Sequence, residues 1–467
     1  MERGNKDFME EKNVKAPQEN KMGTMPIVKL LITMSLPMMI SMLVLSLYNI
    51  VDSMFVAQIS EDALTAVSLA FPLQSLMIAV GAGTGVGINA LLSRALGAKQ
   101  FDRVNKIAEN GVFLAILSSV VFCVVGFLAT RPFYEVQTNN ADIINYGTQY
   151  LEIVSVFSFG CFIQMVFERL LQATGKTFLS MITQGTGAII NIILDPIFIF
   201  GWFGVPAFGV RGAAIATVIG QIVAAILAII LNTKCNKEIH INVKKFRPQG
   251  AVIKDIYKVG VPSIFMQAIG SVMTFGMNQI LISFTKTATT VFGVYFKIQS
   301  FIFMPIFGMN SGVVPVIAYN YGAQKRSRLI NAAKFAVIFA VSMMLIGFLV
   351  FQFMPERLLD LFKPTQDMID LGIPAFRIIS IHFLLAGFCI IMGTVFQALG
   401  KATYSLVVSL ARQLVVLLPA AYFLSLTNNV NAVWWAFPIA EIASFVISAV
   451  FFIRIYNKII KKIPDNV

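Results

Sequence analysis

The chain has 467 residues, of which 57% are hydrophobic and 13% are charged, and its mean hydropathy is +0.79. Soluble domains carry about 25% charged residues, so this composition excludes an ordinary soluble protein and indicates a membrane protein. The formal net charge of +13 does not indicate nucleic-acid binding, because the basic residues lie in short loops between apolar runs.

Apolar runs of about 20 residues, the length that crosses a bilayer, follow one another from end to end and leave no room for a separate soluble domain. We therefore predict an all-α polytopic membrane protein. Its twelve transmembrane helices, called spans 1 to 12, are predicted at residues 30–57, 63–92, 107–129, 143–172, 178–201, 209–232, 255–284, 288–318, 329–354, 367–398, 402–426 and 430–456.

The segments outside the spans are short and polar. Residues 1–29 form a predicted cytoplasmic tail, and about the first 25 of them, including Glu10, are predicted to be disordered. Residues 233–254 form a basic cytoplasmic connector between spans 6 and 7, and residues 457–467 form a second cytoplasmic tail. Span 1 is too long for the core of a signal peptide, so no cleaved signal is predicted.

Lysine and arginine accumulate in every second loop, which predicts the orientation through the positive-inside rule. One set of segments carries Lys21, Lys29, Arg94, Lys99, Arg103, Lys106, Lys176, Lys234, Lys237, Lys244, Lys245, Arg247, Lys254, Lys258, Lys325, Arg326, Arg328, Lys334, Lys401, Arg454, Lys458, Lys461 and Lys462. The opposite set carries only Arg131, Arg211, Lys286, Arg357 and Lys363. Both termini are therefore predicted to lie in the cytoplasm, with the protein in the cell membrane.

The chain also repeats itself at a single offset of 225 residues. Three separated segments match in this way: Leu36-Pro37 with Val261-Pro262, Leu96 to Lys99 with Tyr321 to Gln324, and Leu171 to Lys176 with Phe396 to Lys401. These matches predict two homologous six-span lobes, at residues 30–232 and 255–456. Because six is even, both lobes enter from the cytoplasm. A pseudo-two-fold axis along the membrane normal then relates them, with substrate sites near their interface.

Away from the span ends, the acidic residues of the predicted spans are Asp52, Glu152, Glu168, Asp195 and Glu441. An ionisable side chain at membrane depth costs about 2.5–3.5 kcal/mol on insertion scales, so each one needs a partner or a function. Asp52 and Asp195 both lie past the midpoint of outward-running spans, about 13 Å and about 8 Å outside the centre. The two are therefore predicted to share one layer of the N-terminal lobe.

Each of these aspartates follows a hydrogen-bonding residue by four positions, Tyr48 before Asp52 and Asn191 before Asp195, which a helix places on the same face. Pro196 removes a backbone donor directly after Asp195 and predicts a bend in span 5. We predict that this pair binds a coupling ion. The alternative is two neutral carboxylic acids that hydrogen-bond within their own helices and take no part in transport.

Glu168 lies near the cytoplasmic end of span 4, about 16 Å inside the centre, so it is not expected to join Asp195 in one site. Adjacent helical residues do not face each other, so Arg169 is not its expected partner. Glu168 is either an interfacial carboxylate or a substrate-binding residue.

Spans 7, 8 and 10 of the C-terminal lobe carry acids only at the span ends, Asp255, Asp367 and Asp370, and none at membrane depth, which argues against a sodium site there. Lys297, Arg412 and Glu441 are predicted to neutralise one another, because a buried ion pair is cheaper than a lone charge. His382 titrates in a useful range, although a lone histidine in a span is more often simply hydrogen-bonded.

Several motifs recur here in a characteristic order. They are Ser35 to Met39 with Asp52, Arg94 to Ala98, Gln172 to Gly175, Asn191 to Phe200, Gly209 to Ala214, and Val314 to Gly322. Together they resemble the multidrug and toxic-compound extrusion (MATE) family of efflux transporters, closest to its proton-coupled and MepA-like branches. The resemblance implies a V-shaped pair of six-helix lobes that exports cationic, lipophilic compounds in exchange for protons or sodium ions, with no other cofactor.

For individual residues, the resemblance implies coupling-ion roles for Asp52 and Asp195, with Tyr48 and Asn191 in the same network. It implies substrate handling by the glutamate at position 168. We add Asp195 and Lys297 as predicted substrate contacts. The predicted partners are small organic cations and the lipid bilayer, without nucleic acid or metal, and the predicted functional unit is a monomer.

Three other kinds of membrane protein share part of this pattern. A flippase of the same superfamily holds lipid-linked diphosphates with cationic residues, a role open to Lys297 and Arg377, but two buried aspartates argue against it. The major facilitator fold also has two six-span halves, but its basic signature loop is not matched after span 2. A membrane enzyme lacks support because the chain has only two histidines, His240 and His382, with no HExxH motif and no glycine-rich phosphate loop.

Overall fold

A computed structural model describes residues 19–242, 246–362 and 364–464. The sequence predictions for Glu10, Lys244, Lys245 and Lys363 fall outside these ranges. The described helices are α1 (Lys21–Thr24), α2 (Ile27–Ala57), α3 (Glu61–Gly97), α4 (Phe101–Gln137), α5 (Ala141–Val156), α6 (Phe159–Ala173), α7 (Thr177–Phe200), α8 (Val210–Cys235), α9 (Gly250–Ile282), α10 (Lys286–Gly322), α11 (Arg326–Phe353), α12 (Pro355–Asp360), α13 (Gln366–Ser380), α14 (Phe383–Ala398), α15 (Ala402–Leu410), α16 (Leu418–Ser425), α17 (Val430–Val433) and α18 (Ala436–Lys458).

The prediction of twelve spans is confirmed when two bent helix pairs are each counted as one span. Within the described residues, ten stretches are long and apolar enough to cross a membrane on their own. The remaining two spans are α5 with α6, bent by 46°, and α13 with α14, bent by 49°. These are spans 4 and 10, which occupy equivalent places in the two halves. Helices α2 to α8 form the N-terminal lobe, and α9 to α18 form the C-terminal lobe.

The bend predicted at Pro196 does not interrupt span 5. Helix α7 runs through the proline and ends at Phe200, followed by Gly201 in the left-handed region at φ 78°. A proline in a helix removes the hydrogen bond to the carbonyl four residues earlier, here that of Ile192. Because the helix ends only four residues later, this loss falls in its last turns, and the helix continues past it.

The two lobes meet backbone to backbone at the end of the bundle that carries the turns with Lys99, Lys176 and Lys325, here called the basic end. A Cβ atom added at Gly97 would lie 2.0 Å from the Tyr319 carbonyl oxygen, and one added at Gly322 would lie 2.0 Å from that of Arg94. Gly97 and Gly322 are 225 residues apart. The two copies of the repeated turn therefore pack against each other across the pseudo-two-fold axis.

The repeat extends to the backbone conformation of these turns. Lys99 and Gln324, again 225 positions apart, both adopt left-handed conformations with φ of 56° and 57°. Other close inter-lobe approaches lie in the same half of the bundle. An added Cβ atom on Gly87 would meet the Ile256 carbonyl oxygen at 2.3 Å, and one on Gly312 would meet the Met34 carbonyl oxygen at 2.8 Å. The lobes are therefore closed against each other at the basic end.

The N-terminal segment contributes to this closure, so the prediction of disorder is wrong for residues 19–25. The Met22 side chain is fully buried. Asn20 Nδ2 donates to the Thr174 carbonyl of the N-terminal lobe at 3.0 Å, while Arg328 Nη2 of the C-terminal lobe donates to the Met22 carbonyl at 3.1 Å. Lys325 Nζ lies 2.6 Å from Glu19 Oε1, and this hydrogen bond lowers the pKa of the Glu19 carboxyl group.

The glycine contacts predict a stability difference among three substitutions. We expect Gly97→Ala and Gly322→Ala each to destabilise the protein by about 1–3 kcal/mol, because the new methyl group meets a backbone carbonyl that cannot turn away. Gly185→Ala is the matched control inside α7, since nothing lies within 4 Å of its added Cβ atom. It should be neutral or slightly stabilising, because alanine favours the helix.

The measurement is the apparent melting temperature of each purified variant in the same detergent. Equal melting temperatures for all three variants would show that the close approach at the basic end is absent.

Candidate functional site

Two aspartates from different helices meet inside the N-terminal lobe. Asp52 on α2 is 8% exposed and Asp195 on α7 is completely buried. Their carboxyl groups lie within hydrogen-bonding reach of each other. The structure thus brings together the two residues that the depth estimate placed in one layer.

Neither aspartate is neutralised by a donor from the described part of the chain. Asp52 Oδ1 and both carboxyl oxygens of Asp195 are buried without a hydrogen-bond partner there. Two ionised carboxylates in contact repel each other strongly in a low-dielectric interior, and one proton shared between them removes that repulsion. A positive charge placed between or beside their oxygens would therefore stabilise the pair.

A polar network supports the pair from three helices. Asn191 Nδ2 donates to Thr217 Oγ1 of α8 at 3.1 Å, and Thr217 in turn donates to the Ala213 carbonyl at 3.0 Å. The Tyr48 hydroxyl lies near Thr217. Thr217 therefore ties the two residues that the sequence paired with the aspartates into a single cluster.

Sequence reasoning missed two members of this cluster. Thr217 gave no signal, because a threonine in a transmembrane helix usually satisfies its hydroxyl on its own backbone. Tyr150 of α5 is buried on the Asp52 side of the lobe, close enough to sense the Asp52 charge, and accepts a hydrogen bond from Gln74 Nε2 at 3.1 Å. Its position was unpredictable, because the bend between α5 and α6 sets where this half of span 4 points.

Glu168 occupies a separate place nearer the basic end. Its Oε1 accepts hydrogen bonds from Gln164 at 2.9 Å and from Thr183 of α7 at 3.2 Å. Thr183 lies twelve residues before Asp195 on the same helix, a rise of about 18 Å. The neighbouring arginine, Arg169, instead donates to Gln172 at 2.8 Å and to Ser311 of the other lobe at 3.4 Å.

The predicted charge cluster of the C-terminal lobe forms only in part. Arg412 Nη1 lies 3.6 Å from Glu441 Oε2, whereas Lys297 on α10 is exposed and does not join them. His382 sits at the bend between α13 and α14 and donates its Nδ1 proton to the Ile379 carbonyl at 2.6 Å.

The two lobes therefore share a backbone plan and differ in their polar side chains. The positions 225 residues after Asp52 and Asp195 are Met277 and Ala420, so the C-terminal lobe has no copy of the aspartate pair. Within the described residues, no group of three or more histidine, cysteine or acidic side chains is arranged to hold a metal ion.

Comparison with known proteins identifies the same repeat. The sequence profile of the MatE family matches residues 37–197 and again residues 262–423, two segments that begin 225 residues apart. Multidrug export protein MepA from Staphylococcus haemolyticus (strain JCSC1435) is 29% identical over 421 residues, with 89% of this chain and 91% of that protein covered. MepA from Staphylococcus aureus (strain MSSA476) is 26% identical over 418 residues, with the same coverage.

Solved structures show the same architecture. A multidrug resistance MATE family transporter of the MOP superfamily, in an outward-facing conformation, aligns with a TM-score of 0.88 and 25% identity, covering 96% of this chain and 100% of that one. A MOP superfamily transporter from Pyrococcus furiosus Vc1 (DSM3638), whose reversed pocket polarity suggests a different function, aligns with a TM-score of 0.86, 25% identity and the same coverage. The predicted fold of two six-helix lobes is thereby confirmed.

The two profile matches together cover more than half of the chain, so this multi-pass membrane protein belongs to the MATE family and is a transporter, not an enzyme.

Proposed function

We propose that the protein is a secondary active antiporter that exports lipophilic organic cations in exchange for protons. The observation that carries this proposal is the contact between the carboxyl groups of Asp52 and Asp195 without a donor from the described residues around them. Such a pair is stable when it holds a positive charge and unstable when it is empty. Binding and release of that charge can therefore drive a change of conformation.

The exchange cycle follows from differential stabilisation. A ligand shifts a two-state equilibrium only by binding one state better than the other. A proton taken up by the aspartate pair from outside and a cationic substrate bound from the cytoplasm stabilise different states. Loss of the proton to the cytoplasm then returns the pair to its high-energy form. The polar cluster of Tyr48, Asn191 and Thr217 keeps α2, α7 and α8 together throughout this step.

A proton fits the pair better than a sodium ion. The two carboxyl groups lie close enough for one proton to bridge them, whereas a sodium ion takes several oxygen ligands. Sodium coupling would need the pair to separate and recruit further oxygen ligands, of which the unpaired Asn191 Oδ1 is the nearest candidate on α7. We therefore place proton coupling first.

The cellular setting is part of the proposal. The asymmetric distribution of lysine and arginine supports a cytoplasmic position for the basic end and for both termini, in the plasma membrane. The likeness to MepA proteins, whose name describes multidrug export, supports small organic substrates, and the chain is proposed to act as a monomer.

The flippase alternative receives little support from the C-terminal lobe. A lipid diphosphate would need several cationic side chains directed to one place. In the described residues, Lys297 and Arg377 are exposed, and the charge of Arg412 is countered by Glu441. Cation export therefore remains the better proposal.

The proposal makes Asp195 and Asp52 essential. We expect Asp195→Asn and Asp52→Asn each to reduce ethidium export from cells at least about a hundredfold, with the protein still present in the membrane, because an amide cannot release the shared proton. The double variant should be no worse than either single one, since the two residues act as a unit. Glu152→Gln is the matched control in the same lobe and should export normally. Normal export by the Asp195 variant would overturn the assignment.

The proposal also specifies that a pH gradient, and not a sodium gradient, supplies the energy for export. In proteoliposomes, we expect an imposed pH gradient to drive ethidium transport and a sodium gradient of equal size to have no effect. Asp195→Asn should abolish the response to the pH gradient. A response to sodium alone would replace the proton by sodium as the coupling ion, and a response to neither would favour the flippase.

A further inference from the structure

Residues 19–25, here called the strap, cross the seam between the two lobes at the basic end. The Met22 side chain is fully buried there. A Cβ atom added at Gly23 would lie 2.9 Å from the Tyr319 ring of the C-terminal lobe. Because α2 belongs to the N-terminal lobe, the chain that leads into it needs no contact with the other lobe. The strap nevertheless packs closely against it.

Two cationic side chains of the C-terminal lobe bind the backbone of the strap. Arg328 Nη2 donates to the carbonyl groups of Met22 and Met25 at 3.1 Å and 2.7 Å. Lys325 Nζ donates to the Gly23 carbonyl group at 3.0 Å. Hydrogen bonds from charged donors are about twice as strong as those between neutral groups. The C-terminal lobe therefore holds the strap firmly by its main chain.

The N-terminal lobe holds the same segment through one amide side chain. Asn20 Nδ2 donates to the Thr174 carbonyl group at 3.0 Å and to the Glu238 carboxylate, which follows α8. Lys176, from the same loop as Thr174, lies 3.3 Å from the other oxygen of Glu238. If the lobes part at the basic end, Thr174 and Arg328 move away from each other. The strap cannot then keep both sets of contacts, so opening must break one of them.

The equivalent arginine on the other side of the pseudo-two-fold axis makes a weaker crossing of the seam. Arg103 lies 225 residues before Arg328 and pairs with Asp255 of α9 at 3.0 Å. Both side chains of this pair are about half exposed, and exposed ion pairs contribute little to stability. The residue equivalent to Lys325 is the uncharged Gln100. Of these two crossings, the one that the strap makes is therefore the stronger.

We propose that the strap is a releasable latch, which holds the lobes closed at the basic end and must let go of one lobe before that end opens. The latch sets how often the basic end opens, and it does so far from the aspartate pair and whichever ion drives transport. The inference rests on the proposed function in one respect, that the basic end is the cytoplasmic entrance for substrate.

Release of the strap can be measured as access to a buried position on the seam. Ser35 is 5% exposed, and its hydroxyl group donates to the Met309 carbonyl of the other lobe at 3.5 Å. In the purified full chain, with its native cysteines replaced by alanine, the Ser35→Cys thiol reacts with a water-soluble maleimide only while the lobes are apart. When opening and closing are fast, the labelling rate is proportional to the open fraction, even where that fraction is small.

Two strap variants and one matched control are compared in this background. We expect Arg328→Gln to raise the labelling rate of the Ser35→Cys thiol at least about tenfold, because charged hydrogen bonds to two strap carbonyl groups are lost. Asn20→Ala should raise it about fivefold, because the contacts with the N-terminal lobe are lost. Arg103→Gln, the substitution at the equivalent position of the repeat, should change it less than about twofold, since it removes only an exposed ion pair.

A second buried thiol distinguishes opening of the seam from unfolding. Ser93 is fully buried inside the N-terminal lobe, where its hydroxyl group donates to the Ala173 carbonyl at 2.9 Å. The Ser93→Cys thiol should label equally slowly with and without the strap substitutions. Equal acceleration at both thiols in both strap variants would show a loosened fold and refute the latch. An unchanged rate at the Ser35→Cys thiol, or an equal rise with Arg103→Gln, would also overturn the inference.

The labelling needs neither substrate nor an ion gradient, so its outcome is independent of the proposed antiport. It is repeated with Asp195→Asn, where the strap substitutions should keep their relative effects because the two places are far apart. Normal export by Asp195→Asn together with the expected labelling pattern would remove the antiport proposal and leave the latch intact.

Discussion

The N-terminal lobe depends on one electrostatic constraint, the contact between two carboxyl groups in a place where no described donor reaches their unpaired oxygens. In a soluble protein, water would relieve such a contact. A bilayer removes that option, because its interior offers no hydrogen bonds to an unsatisfied polar group. The packing of α2 against α7 must therefore keep Asp52 and Asp195 together, while the hydrogen bond from Asn191 to Thr217 joins α7 to α8.

The bilayer also explains why much of the fold could be predicted from the sequence. Apolar length and the alternation of basic loops are consequences of the bilayer and predict the twelve spans, while the 225-residue repeat predicts the two lobes. Helix geometry also placed Asp52 and Asp195 at a common depth. The bends in spans 4 and 10 were not predictable, because they fall at Phe157 and Ile381 without a proline at the break.

What the sequence did not predict follows from packing between distant segments. Thr217 and Tyr150 join the aspartate cluster only because of how α5 and α8 face α2 and α7. The structured part of the N-terminal tail is a second case, since residues 19–25 are polar enough to suggest disorder. Their order comes from partners far along the chain, Thr174 on one side and Arg328 on the other. Local composition carries no information about such partners.

The reciprocal packing of Gly97 on the Tyr319 carbonyl and of Gly322 on the Arg94 carbonyl bears on the ancestry of the chain. If the two halves descend from one duplicated segment, the ancestor carried a single copy of this turn. A two-fold assembly of that ancestor would have placed the glycine of each copy against the same carbonyl of the other, as isologous interfaces do. Any side chain at the glycine position would have clashed with a backbone carbonyl in both copies of the turn. Fusion into one polypeptide freed the other positions to diverge, so that an acid pair could arise in one half while Met277 and Ala420 fill the equivalent places in the other.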